Sequence, residues 1–279
     1  MRTKILIVIL VGMVVISVVL TAELVAGNCK GKGKGNAPAL EKVEFIHWKK
    51  GFGKPTCPCD KDGVCEPESG ERPSCCQDCK GGGGNGEEPQ VTCYAFMGQY
   101  GKKLLKWNSL PISYVVHPDV DACVNGAIFA GAEEWDDWTG PEIFNNTYTS
   151  DDSVAYNVQD YKNAITFDDY YTDPGIIGAC MVWYNPATKQ IVEFDIVFET
   201  DFAWGYAGPT NEEELVDTSV MDLQNIATHE LGHAVGLADV YETECSDVTM
   251  FGYSTEGETK KRTLAEADIT GIQRLYGAP

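Results

Sequence analysis

The chain has 279 residues, of which 43% are hydrophobic, and its 42 acidic and 21 basic side chains give a formal net charge of −21. The hydrophobic content excludes an intrinsically disordered chain. The acidic excess argues against binding to nucleic acid or to anionic lipid, because both need a basic surface. The surplus carboxylates are compatible with calcium sites and, equally, with an acidic surface that favours solubility.

The N-terminal segment has the pattern of an export signal. Arg2 and Lys4 precede an uncharged apolar run, and small residues follow up to Gly27. This pattern predicts that residues 1–27 are a signal peptide or an uncleaved signal anchor. The eleven cysteines of the chain then indicate an oxidising compartment and disulfide bonds. We expect a secreted or surface-anchored protein that contacts the membrane only through an uncleaved N-terminal segment.

Composition divides the rest of the chain into four parts. Residues 28–56 mix Gly, Lys and Pro, which predicts a flexible tether. Residues 57–80 are dense in cysteine and too short to bury a core, so they predict a small module held by disulfides or metal. Residues 81–90 predict a Gly-rich linker. Residues 91–279 have the composition of one globular domain.

Apolar spacing predicts both strands and helices within that domain. Strands are predicted at 112–117, 163–167, 179–184 and 190–199. Helices are predicted at 120–138, from near Ser219 with Asp222 three residues on as a capping box, and from near Thr263. Because strands and helices share one domain, the sequence predicts the α+β class.

The residues that carry chemistry lie in one stretch, HELGHAVGLAD, which begins at His229. On a helix, His229 and His233 lie on the same face, so both imidazoles can bind one ion. Glu230 is placed to accept a proton from an attacking water rather than to bind the metal. Gly236 lets the helix end and the chain turn back, which brings Asp239 toward the same ion as a third ligand.

Several alternatives to this metal shell are open. Two helical histidines four apart also occur by chance, but two of the four histidines in the chain fall in this pattern, which favours zinc. Glu242 is an alternative third ligand, or Asp239 is a surface acid and a water completes the shell. A site with a distant glutamate ligand, from Glu256 or Glu258, is a further rival.

The extended motif resembles that of the metzincin metallopeptidases, and most closely that of the matrixin group. The similarity covers most of residues 105–277, with Trp107 in the first strand, Met250 as the methionine of a Met-turn and a closing helix that ends near Gly277. The resemblance implies a catalytic domain with a twisted mixed sheet, an active-site helix and a C-terminal helix, preceded here by the cysteine-rich module. It also implies an edge strand, with 179–184 as the candidate, along which a peptide substrate lies extended.

The chain departs from the matrixin pattern at two points. Matrixins carry histidine where this chain has Asp239, although a carboxylate also binds zinc, at about 2.0–2.2 Å. The histidines that hold a structural zinc in many matrixins are missing, because only His47 and His117 lie outside the motif. A second ion is therefore expected to be calcium, held by carboxylates. Tyr253 is a candidate for the substrate pocket.

On this basis the sequence predicts a zinc-dependent endopeptidase that hydrolyses protein or peptide substrates with an activated water. Glu230 is the predicted catalytic base, and His229, His233 and Asp239 are the predicted ligands. We expect a monomer without a nucleic-acid partner. The alternative is a non-catalytic metal-binding surface or adhesion protein on a metzincin scaffold. The presence of Glu230 favours the enzyme, because a purely structural metal site does not need that carboxylate.

Overall fold

The computed structural model describes residues 39–53, 92–97, 104–124, 126–208 and 216–279. The predicted signal segment 1–27, the cysteine-rich module 57–80 and the linker 81–90 lie outside the described residues. All described residues belong to one unit that spans 38–279.

Eleven strands are present in the described residues: β1 (Glu41–Lys49), β2 (Ala95–Phe96), β3 (Val115–Val116), β4 (Thr149–Ser150), β5 (Ala164–Asp168), β6 (Ile176–Asn185), β7 (Gln190–Glu199), β8 (Trp204–Gly205), β9 (Met221–Asp222), β10 (Leu237–Ala238) and β11 (Tyr253–Ser254). Seven of them form one mixed sheet in the order β11-β1-β6-β7-β5-β3-β4. In this sheet β6 runs antiparallel to both β1 and β7, and the other neighbours are parallel. Two small sheets pair β10 with β2 and β8 with β9.

The described helices are α1 (Pro118–Cys123), α2 (Ala127–Asp136), α3 (Leu223–Ala234) and α4 (Glu266–Tyr276), with short 3₁₀ turns at Thr243–Cys245 and Lys260–Arg262. Together with the mixed sheet they give the predicted α+β class. None of these helices has the length and apolar character needed to cross a bilayer.

All three predicted helices differ from the structure in their bounds, and the last, predicted from near Thr263, begins at Glu266. The helix predicted at 120–138 is two helices, because Gly126 adopts a left-handed conformation with φ 79° between them. The helix predicted from near Ser219 begins at Leu223, and Asp222 is its N-cap, accepting a hydrogen bond from the Asn225 amide at 2.9 Å. The Ser219 hydroxyl instead donates to Asp217 at 2.6 Å. A serine beside an acid forms a local turn as readily as a cap.

β7 has the bounds predicted from its alternating pattern, but both of its faces are buried. Apolar side chains such as Phe194 face the core, whereas Glu193 and Asp195 face the segment that leads into β5. Asp195 accepts hydrogen bonds from the amides of Val158, at 3.0 Å, and Ala164, at 3.2 Å. The polar face of this strand therefore organises a loop instead of meeting solvent.

The core lies between the sheet and the pair α2 and α3. Trp135 of α2 is fully buried, and its indole nitrogen donates to the Thr228 carbonyl of α3 at 2.9 Å. A β carbon at Gly131 would lie 3.0 Å from the Thr228 side chain, so a small residue there lets the two helices approach closely. A disulfide between Cys93 and Cys245 joins residues 152 positions apart.

The N-terminal strand β1 differs most from the sequence prediction. Residues 28–56 are predicted to be a flexible tether, whereas Glu41–Lys49 form a nine-residue strand inserted between β6 and β11. The predicted substrate edge, 179–184, lies within β6 and is therefore not an edge in this structure. The Gly- and Lys-rich sequence before β1 dominates the local composition and hides the alternation of Val43, Phe45 and His47.

The pH dependence of stability tests the buried polar face of β7. Burial raises the pKa of Asp195 to about 7, although two backbone amides lower it. Because the unfolded pKa is about 3.9, the folded state holds more protons between these values. The stabilising contribution is therefore complete below about pH 4 and is lost as the pH rises to about 7. A difference of one between the folded and unfolded pKa corresponds to about 1.4 kcal/mol of unfolding free energy.

We therefore expect the melting temperature of Asp195→Asn to fall less between pH 4.5 and pH 8 than that of the wild type, as measured by circular dichroism. Asp152, an exposed acid, provides the matched control Asp152→Asn, which should follow the wild type. Parallel curves for all three proteins would contradict this account.

Candidate metal centre

Helix α3 carries the motif, and its two ends are held by specific contacts. At the N-terminus, the Asp222 carboxylate caps the helix and also pairs with the Arg262 guanidinium, whose Nε donates at 2.9 Å. At the C-terminus, Gly236 has φ 110°, and a β carbon there would lie 2.6 Å from the Leu105 carbonyl oxygen. The predicted turn at Gly236 is confirmed, and it directs the chain back toward Asp239.

Three candidate ligand atoms converge beside α3. The Nε2 atoms of His229 and His233 are 3.1 Å apart, and Asp239 Oδ1 lies 3.2 Å from the first and 3.5 Å from the second. A tetrahedral zinc with ligands at about 2.0–2.1 Å separates its ligand atoms by about 3.3 Å. The donor set of two imidazoles and one carboxylate therefore fits zinc in both chemistry and spacing.

Backbone carbonyls orient both imidazoles. The Nδ1 of His229 lies 2.7 Å from the Thr249 carbonyl oxygen, and the Nδ1 of His233 lies 3.0 Å from that of Leu237. When each Nδ1–H donates to its carbonyl, the Nε2 lone pair is free to bind a metal. The segment that holds Thr249 is itself fixed, because its amide donates to Asp268 at 2.8 Å.

The charges of the three side chains are strongly coupled. Burial and, to a smaller extent, Lys261 lower the pKa of His229 to about 4, while the Asp239 carboxylate opposes this effect. Burial also lowers the pKa of His233, but the Asp239 carboxylate outweighs this effect and raises it. Burial opposes ionisation of Asp239, yet the neighbouring histidines hold the pKa of this carboxyl well below its usual range. The carboxyl is therefore ionised, as a metal ligand must be.

Glu230 points into the same enclosed space without joining the donor set. Both of its carboxylate oxygens are buried and accept no hydrogen bond in the described structure. Burial raises the pKa of Glu230 to about 8. A buried carboxylate without a hydrogen-bond partner is costly, so its position indicates a role that needs a changing partner, such as a water that exchanges a proton.

Met250 packs against α3, and Tyr253 contacts Tyr241, which donates to Asp239. Met250 is fully buried beneath α3, and a β carbon at Gly232 would collide with its sulfur. It therefore packs directly against the helix that carries both histidines. Tyr253 is partly buried in β11, with its ring centroid 5.4 Å from that of Tyr241, whose hydroxyl donates to Asp239 at 3.1 Å.

Sequence reasoning missed two residues at the centre, His47 and Lys261. Both are fully buried, and the Lys261 Nζ lies 3.2 Å from His47 Nε2. His47 Nδ1 lies 3.5 Å from Glu230 Oε1. The sequence offered one signal, the alternation that places His47 on the same face of β1 as Phe45. Nothing near Lys261 in the sequence marks it as buried.

The carboxylates proposed as alternative ligands lie elsewhere. Glu242 accepts a hydrogen bond from the Tyr241 amide at 3.3 Å, Glu256 pairs with Lys49, and Glu258 accepts from the Ser254 hydroxyl at 3.0 Å. Within the described residues, none of them belongs to a group of side chains close enough to share a metal with the two motif histidines.

The predicted calcium site remains a prediction. One acidic group in the described residues, Glu133, Asp136 and Glu142, is close enough to share an ion. Asp136, however, already accepts hydrogen bonds from the Ile143 and Phe144 amides, so its position has a structural explanation without an ion.

Comparison with known proteins identifies relatives of the domain. The matrixin family model matches residues 119–277. Metalloendoproteinase 1 of Glycine max is 37% identical over 81 residues, which are 29% of this chain and 24% of the plant protein. Metalloendoproteinase 2-MMP of Arabidopsis thaliana is 28% identical over 130 residues, which are 47% of this chain and 30% of that protein. Stromelysin-1 of Rattus norvegicus is 27% identical over 181 residues, which are 62% of this chain and 34% of stromelysin-1. The chain thus spans about a quarter to a third of the length of these relatives.

Metal titration tests the candidate ligand set. We expect Asp239→Ala to weaken zinc binding by at least about 100-fold, because it removes one of three protein donors. Asp239→His should retain zinc, since imidazole binds it at a similar distance. Competition with a zinc-chelating dye measures the affinity. Glu242→Ala is the matched control and should bind zinc like the wild type, whereas loss of zinc in that variant alone would assign the third ligand to Glu242.

Proposed function

The chain belongs to the matrixin family, and from this premise we propose that it is a zinc-dependent endopeptidase. His229, His233 and Asp239 would hold the zinc, and Glu230 would be the catalytic base. The observation that supports the proposal most directly is the convergence of three suitably spaced ligand atoms beside a buried carboxylate without a hydrogen-bond partner. The names of the relatives, metalloendoproteinases among them, agree with this activity.

The zinc, when bound, would polarise the scissile carbonyl and make a water more acidic. The residues of the chain supply the rest of the mechanism. Glu230 accepts the proton of the attacking water and returns it to the leaving amine. Its lack of other hydrogen bonds leaves both oxygens available for these two transfers. The carbonyls of Thr249 and Leu237 keep the two imidazoles fixed while the proton moves.

We further propose that the enzyme acts outside the cell, as a monomer, on protein or peptide substrates. The export pattern at the N-terminus supports secretion or surface anchoring. The disulfide between Cys93 and Cys245 is consistent with an oxidising compartment.

A non-catalytic metal-binding protein is the second candidate, because the centre is enclosed. His229, Glu230 and His233 are all 0% exposed, so a substrate does not reach them in this conformation. A protein that binds metal without catalysing a reaction would have its metal centre buried in the same way. The two candidates differ in what they require of Glu230, because a structural metal site does not use this carboxylate.

Replacement of Glu230, the proposed base, distinguishes the endopeptidase from the non-catalytic metal-binding protein. We expect Glu230→Gln to retain zinc but to lose at least about 100-fold in kcat, because positioned general bases contribute about 10²- to 10⁴-fold. Hydrolysis of casein and of a quenched fluorogenic peptide, with and without a chelator, measures the effect. Glu242→Gln, a carboxylate outside the donor set, should turn over substrate like the wild type. Chelator-sensitive hydrolysis that persists undiminished in Glu230→Gln would exclude the mechanism.

A further inference from the structure

Asp239 differs from the two histidine ligands in how its orientation has to be fixed. Each imidazole offers one nitrogen to the metal and is held through the other. The Thr249 carbonyl holds His229 at 2.7 Å, and the Leu237 carbonyl holds His233 at 3.0 Å. A carboxylate has two equivalent oxygens, and it binds an ion through either one or through both. A site that uses Asp239 therefore needs a donor that distinguishes the two oxygens.

The two oxygens of Asp239 have different neighbours in the structure. Oδ1 lies 3.2 Å from His229 Nε2 and 3.5 Å from His233 Nε2. Oδ2 accepts a hydrogen bond from the Tyr241 hydroxyl at 3.1 Å. A hydroxyl that donates to one oxygen fixes the plane of the carboxylate and leaves the other oxygen facing the imidazoles. The two oxygens therefore have separate roles, one toward the shared ligand position and one toward the tyrosine.

The backbone that carries Tyr241 is tied to the segment that contains Met250. The Val240 amide donates to the Met250 carbonyl at 2.9 Å, and the Gly252 amide donates to the Val240 carbonyl at 3.0 Å. Val240 is fully buried and forms a parallel bridge with Phe251. Because Tyr241 follows Val240 directly, its side chain leaves the backbone from a fixed point.

Gly252 leaves room for the ring of Tyr241. A β carbon at Gly252 would lie 2.3 Å from Cε1, 2.6 Å from Cζ and 2.9 Å from the hydroxyl oxygen of Tyr241. These distances are well inside the contact distance of about 3.5–4.0 Å between carbon atoms. The φ angle of Gly252 is not positive, so its backbone conformation does not require glycine. The missing side chain is needed for space, at the hydroxyl end of the tyrosine ring.

We propose that Tyr241 is the positioning residue of the third metal ligand, and that Gly252 provides the space that its hydroxyl occupies. The proposal deepens the endopeptidase function proposed above and rests on its ligand set. With Oδ2 held by Tyr241, Asp239 binds zinc through Oδ1 alone. A carboxylate bound through both oxygens would take up the position that a catalytic zinc site keeps open for water. Tyr241 thus preserves the place of the water on which Glu230 acts.

The pairing of Asp239 with Tyr241 also explains how this chain uses a carboxylate at a position where the matrixin pattern has histidine. An imidazole presents one nitrogen to the metal, so no donor has to choose between two ligand atoms. A carboxylate gains a single binding mode only when one oxygen is occupied. The tyrosine two residues further along the chain supplies that donor, and the two residues are expected to act as a pair.

A double-mutant cycle on zinc affinity tests this pair, with metal-free, full-length protein and competition with a zinc-chelating dye. We expect Tyr241→Phe, which keeps the ring and removes the hydroxyl, to weaken zinc binding at least about tenfold, as loss of an outer-shell partner does. In the Asp239→Ala background the same substitution should change the affinity by no more than about twofold, because no carboxylate remains to be positioned. Tyr253→Phe removes the hydroxyl of the neighbouring ring and is the matched control. It should bind zinc like the wild type.

Equal zinc affinity of Tyr241→Phe and the wild type would overturn the proposal. So would a tenfold loss that persists in the Asp239→Ala background, because that loss would come from a general change in the fold. Gly252→Ala provides a second variant in which the tyrosine is kept but its hydroxyl is displaced. It should lose zinc affinity at least about tenfold as well, and an unchanged affinity would contradict the role assigned to Gly252.

Cobalt substitution reports on the binding mode of Asp239 independently of affinity. Four-coordinate cobalt absorbs visible light more strongly than five- or six-coordinate cobalt, so the absorption per bound ion follows the number of donor atoms. We expect Tyr241→Phe to lose visible absorption relative to the wild type, because Asp239 is then free to bind through both oxygens. Tyr253→Phe should keep the wild-type spectrum. Identical spectra for all three proteins would exclude the positioning role.

These measurements do not depend on hydrolysis, so they separate this proposal from the proposed function. If Tyr241→Phe loses zinc affinity and cobalt absorption as expected but no form hydrolyses casein, the endopeptidase function fails while the positioning role of Tyr241 stands. If the wild type hydrolyses casein and Tyr241→Phe binds zinc equally well, the positioning role fails while the endopeptidase function stands.

Discussion

The arrangement of the centre depends on one electrostatic requirement. Two imidazole nitrogens lie 3.1 Å apart with a carboxylate oxygen beside both, all shielded from water. If both Nδ1 atoms donate to carbonyls, the Nε2 lone pairs face each other and repel unless a cation lies among them. Zinc satisfies this requirement, and a proton on His233, whose pKa Asp239 raises, does so in its absence. Zinc bound among these atoms would therefore displace that proton and stabilise the folded domain.

Much of the surrounding structure maintains this geometry. The Asp222 cap fixes where α3 begins, and Gly236 permits the turn that brings Asp239 back. Asp268, on α4, accepts hydrogen bonds from the amides of Thr249 and Met250, which orients one imidazole and places the methionine under the helix. A change in any of these contacts would displace at least one of the candidate ligand atoms.

The parts of the structure that the sequence predicted are those set by local spacing. The four-residue interval between His229 and His233, the turn at Gly236 and the alternation within β7 all depend on neighbours in the chain. The start of the helix predicted near Ser219 was misplaced, because several local hydrogen-bond patterns compete there. The break at Gly126 was not predicted. The position of β1 could not be predicted, since Trp48 pairs with Tyr253, a partner far along the chain. His47 and Lys261 meet only through that pairing.

Lys261 links the enclosure of the centre to its chemistry. A buried ammonium is tolerated only when its donors are satisfied, and two backbone carbonyls satisfy two of the three. Burial lowers the pKa of Lys261 to about 8, while the carboxylates around it raise the pKa and oppose this effect. The third donor is directed to His47 Nε2 at 3.2 Å, and this contact joins β1 to the 3₁₀ turn at Lys260–Arg262.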